Sequence, residues 1–290
     1  MFDALVTMLY RMKPFRGRWR VMKQVFDTDP RARSVYGPKL VCSRRTWDFT
    51  MEASVTGWQG FALRDAIEAL PRDAVFVDIG ANVGVFSLAA AAHLREGAVI
   101  AFEPNPRVFA DLARNREING ASNLRIYCAA VGSGTRLATL AVSGGHSGGG
   151  HIADPENDEM GESILMLDGA DIGRMLEPLA DRFIFLKLDT EGLEVAIVRR
   201  LAAAGVLDLV DRAFVEVDAG NLARFGTEAA ELYAVFRHAG FGWKHGLQGE
   251  SHYDEQFSRL AERVRALPRP AARGRSSLPA RAPERATLLQ

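Results

Sequence analysis

The stretch Ala74-Val75-Phe76-Val77-Asp78-Ile79-Gly80-Ala81-Asn82-Val83-Gly84 decides the reading of this chain. Its first six residues form a near-continuous apolar run that ends in a glycine cluster. Such a run predicts a strand buried on both faces, which belongs in a parallel sheet covered by helices. Upstream, Phe61, Leu63, Ala66, Ile67 and Leu70 recur at helical spacing, and Pro71 ends that helix. Downstream, an Ala-rich helix over 83–94 leads to a second apolar strand over 98–102. A helix over 107–119 and a third strand over 124–131 follow. The alternation resumes with a strand at 182–188, a helix at 192–204, a strand at 212–217 and a helix at 227–239. A short sixth strand is expected within 241–247, and a last amphipathic helix over about 254–267. No clear seventh strand is read after Phe241. This order predicts an α/β fold with a Rossmann-like, doubly wound, mostly parallel sheet.

Composition bounds the rest. The chain has 290 residues, 48% hydrophobic and 25% charged, which excludes wholesale disorder and a repeat fibre. Lys plus Arg equals Asp plus Glu at 36 each, so no nucleic-acid partner is expected from bulk charge. Two cysteines, Cys42 and Cys128, make neither a disulfide framework nor a four-thiolate zinc site, and a cytoplasmic location is expected.

The expected organisation is an N-terminal arm or cap over 1–59, a main α/β domain over 60–250, a C-terminal helix over 251–267 and a disordered tail over 268–290. No apolar run reaches the ~20 residues of a membrane helix. The N-terminal apolar segment precedes its basic residues, the reverse of a secretory signal. It reads as a helix packed on the domain. In a second reading, residues 1–20 make weak membrane-surface contact. Some strand character runs through 39–55. The tail carries Pro268, Pro270, Pro279 and Pro283 and no periodic apolar face. A long insertion, 132–181, includes the Gly- and His-rich loop 143–151, read either as a surface excursion or as a lid.

Three segments place unusual chemistry where strands end, the edge at which open α/β sheets bind ligands. In the first, Gly80 permits a sharp turn and close approach of a ligand to the backbone. Gly84 lets the next helix approach the strand, and Asp78 offers an acceptor. Asn82 stands where the dinucleotide fingerprint G-x-G-x-x-G needs its second glycine, which argues against a pyrophosphate ligand. In the second, Glu103 ends the second strand, 23 residues beyond Gly80, where a carboxylate can accept both hydroxyls of a ribose. In the third, Lys187, Asp189 and Glu191 alternate along a strand end, with Glu194 one helical turn beyond Glu191. A carboxylate such as Asp189, abutting a buried strand, is costly without a purpose. No His/Asp constellation has metal-ligand spacing, so no metal is expected.

Taken together and in order, these segments resemble the FkbM family of S-adenosylmethionine-dependent methyltransferases. The family's turn V-D-x-G-A-N-x-G is matched at 77–84, its A-F-E-P-x-P turn at 101–106, and its K-x-D-x-E-G-x-E stretch at 187–194. Ala129-Ala130-Val131-Gly132 is similar to the end of the family's third strand, and Leu167-Asp168 to a short element ahead of the fourth. The resemblance covers about residues 60–218. It implies a class I methyltransferase domain over 60–250, with S-adenosylmethionine as cofactor. It also implies methyl transfer to a hydroxyl of a sugar, glycan or polyketide-type small molecule. Gly80, Asn82 and Gly84 would line the methionine half of the cofactor, with Asp78 in support. Glu103 would hold the ribose with help from Asn105, and Ala129 and Ala130 would flank the adenine. Lys187, Asp189 and Glu191 would face the donor and acceptor.

Methyl transfer from a sulfonium needs an acceptor held in line and a base for its proton. Asp189 is the first choice for that base, with Glu191, His146 and His151 behind it. Lys187 would orient the acceptor or stabilise a developing alkoxide. Two rival readings stay open on the sequence. One is a nicotinamide-dependent oxidoreductase, disfavoured by Asn82. The other is a non-catalytic module that keeps the cofactor pocket.

Overall fold

Short runs of buried residues build the centre of one seven-stranded sheet. The computed structural model describes residues 7–8, 31–42, 49–57, 60–142, 150–153 and 161–261. In chain order, a hairpin of β1 (Arg31–Arg33) and β2 (Lys39–Val41) precedes helices α1 (Phe49–Thr56) and α2 (Phe61–Glu68). Then come β3 (Val75–Ile79), α3 (Val85–His93), β4 (Ala98–Phe102), α4 (Pro106–Ile118) and β5 (Leu124–Tyr127). Next are β6 (Ala130–Val131) and, within the insertion, β7 (Arg136–Val142), β8 (Gly150–Ile152), β9 (Glu162–Leu167) and α5 (Gly169–Leu176). The chain continues through β10 (Ile184–Leu188), α6 (Glu194–Ala203), β11 (Arg212–Asp218), α7 (Ala219–Arg224), α8 (Ala229–His238), β12 (Phe241–Trp243) and β13 (His252–Arg259).

The main sheet has the order β12-β13-β11-β10-β3-β4-β5. Strands β5, β4, β3, β10 and β11 are mutually parallel. Only β13 runs against them, pairing antiparallel with both β11 and β12. The chain winds outward from β3 through β4 to β5, then returns to the other side of β3 as β10. That reversal is the switch point of a doubly wound sheet, and it opens a crevice at the carboxyl ends of β3 and β10. This is a Rossmann-like α/β fold.

Strand alternation divides the core between the two faces. Phe76, Val99, Ala101 and Phe185 point to one face, under Leu63, Ile67, Leu88 and Leu112. Ala32, Leu40, Met51 and Val55 join that same cluster, so the N-terminal segment contributes to the core through the hairpin and α1. Val75, Val77, Ile79, Leu186 and Leu188 point to the other face, under Val195, Val198, Leu232 and Phe236. Phe76 and Phe185 stack across neighbouring strands with centroids 5.4 Å apart. Burial of each such side chain contributes roughly 1.5–3 kcal/mol.

Two expectations are corrected. Residues 252–259 form a strand, not the start of the C-terminal helix expected over 251–267. Seven register pairs with β11, from Asp218↔His252 to Arg212↔Ser258, hold β13 extended. Phe257 stacks on Phe236 at 4.0 Å, and buried Glu255 accepts bonds from Tyr233 Oη and the backbone nitrogens of Lys244, His245 and Gly246. This tertiary pairing overrides a spacing compatible with a helix. It also supplies the seventh strand. Residues 262–267 of the expected helix and the tail 268–290 lie outside the described residues, as do residues 1–6 and 9–30.

The insertion is the second correction. Within 132–181, β7, β8 and β9 join β6 in a separate four-stranded sheet of order β6-β9-β7-β8, and α5 follows. The strand expected over 124–131 is divided between the two sheets. The strand character within 39–55 resolves into β2 and the helix α1.

Candidate active site

Two turns meet at the switch point. After β3 the backbone enters the left-handed region at Gly80 (φ +84°), Asn82 (φ +51°) and Gly84 (φ +86°). A Cβ on Gly80 would lie 1.7 Å from the carbonyl oxygen of Asp189, so the turn and the loop after β10 touch backbone to backbone. Asn82 takes its conformation with its own Oδ1 accepting from the Val83 nitrogen at 2.7 Å. The backbone nitrogens of Gly80 and Ala81 both donate to the Phe102 carbonyl, which ties the end of β3 to the end of β4.

Glu103 completes that tie. Its two oxygens accept from the backbone nitrogens of Asn82 and Asn105, each at 2.8 Å. The Asn105 side chain caps α4, accepting from the Arg107 nitrogen at 3.0 Å. Burial pushes the Glu103 carboxyl up to about 7 against those two bonds and the more distant Lys187 charge.

A buried ion network lies beneath the crevice. Lys187 Nζ donates to the Gly80 carbonyl at 2.7 Å and sits 3.1 Å from Asp78 Oδ1 and 3.2 Å from Asp189 Oδ2. Ser87 Oγ donates to Asp78 Oδ2 at 2.5 Å. Burial opposes the lysine's charge, but Asp189 and Asp78 hold its pKa above the ordinary value. Burial likewise opposes ionisation of Asp189, yet the Lys187 charge and a hydrogen bond with Glu216 hold its carboxyl below the ordinary range.

Past Asp189 the wall of the crevice is acidic. Glu216 on β11 and Asp254 on β13 are directly opposed in the antiparallel register. His252 Nε2 lies 3.0 Å from Glu216 Oε1, and its Nδ1 lies 3.8 Å from Asp218 Oδ2. The Asp189 charge and burial push Glu216 up to about 8. Its contact with Glu216 raises His252 to about 9. Burial and Asp189 raise Glu191 to about 7 and Asp254 to about 6. Glu191 itself has φ +58° and accepts from Asn221 Nδ2 at 2.7 Å.

One cavity of about 640 Å³ runs across these turns. Gly80, Asn82, Glu103, Asn105, Ala129, Ala130, Lys187, Asp189 and Glu191 all line it. Asp78 and Gly84, also expected at the cofactor, do not. Asp78 lies under Lys187, and a Cβ on Gly84 would fall 2.2 Å from Leu112 Cδ1, so Gly84 serves the packing of α3 on α4. His151 lines the cavity from β8, whereas His146 lies outside the described residues. Glu216, His252 and Asp254 line it too and were not singled out from sequence. A carboxylate inside the apolar run Phe214-Val215-Glu216-Val217 was the available signal for the first. The other two were hidden by reading their strand as a helix. Tyr36 and Phe86, with rings 5.0 Å apart, close the cavity on the side of the N-terminal segment. Among the described residues no group of three or more His, Cys, Asp or Glu is placed to hold a metal ion. Among the same residues no helix is long and apolar enough to cross a membrane.

A relative in Beauveria bassiana (strain ARSEF 2860), Methyltransferase 1, is 24% identical over 168 residues, 52% of this chain and 67% of that protein. The crystal structure of a methyltransferase FkbM from Methylobacillus flagellatus KT shares 14% identity with a TM-score of 0.41, over 69% of this chain and 47% of that one. The structure of M. jannaschii TYW2 in complex with AdoMet shares 14% identity with a TM-score of 0.42, over 81% and 89%. Residues 78–242, more than half of the chain and the span that carries both turns and the acidic strand β11, match the methyltransferase FkbM domain, and the chain belongs to that family of methyltransferases.

Proposed function

We propose that this methyltransferase uses S-adenosylmethionine to methylate a hydroxyl of a small molecule, either a sugar, a glycan or a polyketide-type compound. The observation that carries this reading is the single cavity joining Glu103 at one end to Asp189 at the other across the Gly80 turn. The residues fit the cofactor. Glu103 is a buried carboxylate whose two oxygens, each aligned by a backbone nitrogen, retain lone pairs for the two hydroxyls of a ribose. Gly80 leaves backbone exposed where a side chain would block it. Ala129 and Ala130 offer small side chains and backbone to a flat base.

When bound, the cofactor supplies the methyl carbon: the acceptor oxygen forms the new C–O bond from a lone pair, the electrons of the C–S bond stay on sulfur, and only a proton is left to place. Asp189 is held in its charged form by Lys187 and accepts that proton within the crevice. Lys187 is fixed by Asp78, Asp189 and the Gly80 carbonyl, so it orients Asp189 and the turn. Glu191 faces the acceptor from the adjoining turn. The N-terminal segment closes the cavity with Tyr36, and the methyltransferase unit spans 60–259 with this cap in front of it. Cys42 and Cys128 are free thiols, in keeping with a cytoplasmic location.

The test is transfer of a labelled methyl group from S-adenosylmethionine to a panel of sugars, oligosaccharides, hydroxylated polyketides and RNA transcripts. The expected product is an O-methyl ether of one of the small molecules or glycans. A label that enters only RNA would overturn the acceptor class.

A further inference from the structure

Three carboxylates from three neighbouring segments meet on one wall: Asp189 after β10, Glu216 on β11 and Asp254 on β13. Opposed like charges on paired strands destabilise a sheet. Two carboxyls on one wall of a cavity favour a shared proton over two adjacent charges, and each of Asp189 and Glu216 acts on the ionisation of the other. Among the described residues the only buried lysine, Lys187, is already engaged by Asp78, Asp189 and the Gly80 carbonyl. His252 contacts Glu216 from the solvent side, its own side chain 43% exposed. Such a wall has a charge that can change by one proton, and an outlet for that proton.

We infer that Asp189 and Glu216 form a single proton-holding pair that faces the positive sulfonium of the donor: the pair releases its proton when S-adenosylmethionine binds and recovers one from the acceptor hydroxyl as the donor becomes neutral. This rests on the cofactor reading above and adds the residue that stores the proton. The balance closes. The donor loses one positive charge, the acceptor loses one proton, and that proton resides on the Asp189–Glu216 pair. His252, bonded to Glu216, passes it to solvent when the next donor binds, as a positioning and relay residue. The charged groups facing Glu216 are Asp189 and Lys187 from β10 and its exit, His252 and Asp254 from β13, and Asp218 two residues along β11. Glu191 flanks Asp189 from the next turn.

The donor and its demethylated product differ by one methyl group and one charge, so groups remote from the sulfur cancel between them, and the Glu216 variant separates the pair from Glu103, Glu191 and Asp254. Calorimetric titration of the full chain at pH 7, in buffers of different ionisation enthalpy, counts the protons released by each. The expected result is about one more proton released with S-adenosylmethionine than with S-adenosylhomocysteine, because the pair holds a proton at that pH in the free protein. In Glu216→Gln the difference should vanish while S-adenosylhomocysteine affinity changes less than about threefold. In His252→Gln the difference should persist, with its midpoint moved to higher pH, since the imidazolium no longer favours the charged pair. Equal proton counts for the two compounds in the wild-type protein overturn the proposal, whether or not either variant folds. Survival of the difference in Glu216→Gln does so as well. Absence of binding by both compounds would instead overturn the cofactor reading, and this proposal with it.

Discussion

Gly80 and Asp189 are in backbone contact: any Cβ at position 80 would sit 1.7 Å from the Asp189 carbonyl oxygen. The turn after β3 and the loop after β10 therefore form one unit. The Asp189 nitrogen donates to the Ile79 carbonyl at 3.1 Å, and Lys187 Nζ donates to the Gly80 carbonyl, which fastens the same junction from two further directions.

Gly80→Ala should break this unit. The residue has φ +84°, which costs an L-residue about 1–2 kcal/mol before the clash is counted. We expect a loss of at least about 2 kcal/mol in urea unfolding and at least tenfold weaker S-adenosylhomocysteine binding. Wild-type values in both measurements would show that the junction has room to spare.

Lys187→Met removes the counter-charge of Asp78, which is 1% exposed. Loss of one partner of a buried pair typically costs about 3–5 kcal/mol, because the remaining charge has neither water nor an ion to face. Denaturant unfolding at pH 7 should show a loss of that order. A change below about 1 kcal/mol would mean that Asp78 finds another partner or a proton.

Glu103→Ala should weaken cofactor binding by about 1–3 kcal/mol, the loss expected for hydrogen bonds to a charged acceptor. It also frees the nitrogens of Asn82 and Asn105, so a smaller effect is expected on folding through the β3 and β4 turns. Calorimetry with S-adenosylhomocysteine that gives the wild-type affinity would remove Glu103 from the ribose.

Glu191 gives a pH signature. Its carboxyl is raised from 4.5 to about 7 by burial and by Asp189, so the folded state holds the proton more tightly than the unfolded chain does. Its stabilising contribution is therefore full below pH 4.5 and is lost as pH rises through 7. Glu191→Gln can keep a bond to Asn221 but carries no charge. Thermal unfolding should show the variant matching wild type near pH 4.5 and exceeding it above pH 7. Parallel curves at all pH values would contradict the burial of this charge.

The centre of the fold was legible because it is written in local signals. The runs at 74–79, 98–102 and 183–188 are apolar but for Asp78 and Lys187, and turn glycines or Pro104 follow the first two. That pattern fits parallel strands buried on both faces. The edge was not legible. His252 to Arg259 sets only Tyr253 and Phe257, four residues apart, among polar residues, a spacing that also fits part of an amphipathic helix, and only its pairing with β11 decides for strand. The site followed the same division. Residues inside compact motifs, such as Gly80, Glu103 and Asp189, stand out in the sequence and line the cavity. Glu216, His252 and Asp254 were not, because antiparallel register brings together positions roughly forty residues apart that share no motif. Gly84 belonged to a motif but serves packing against Leu112, since a glycine's spacing does not reveal which neighbour needs the space.

The central claim is that the crevice between the Gly80 turn and Glu103 holds the nucleoside of S-adenosylmethionine, with its sulfur toward Asp189. A crystal structure of the complex with S-adenosylhomocysteine tests it most directly. The account predicts both ribose hydroxyls within hydrogen-bonding distance of the Glu103 carboxylate and the base beside Ala129 and Ala130. A nucleoside bound elsewhere, with Glu103 contacting only the Asn82 and Asn105 nitrogens, would contradict it.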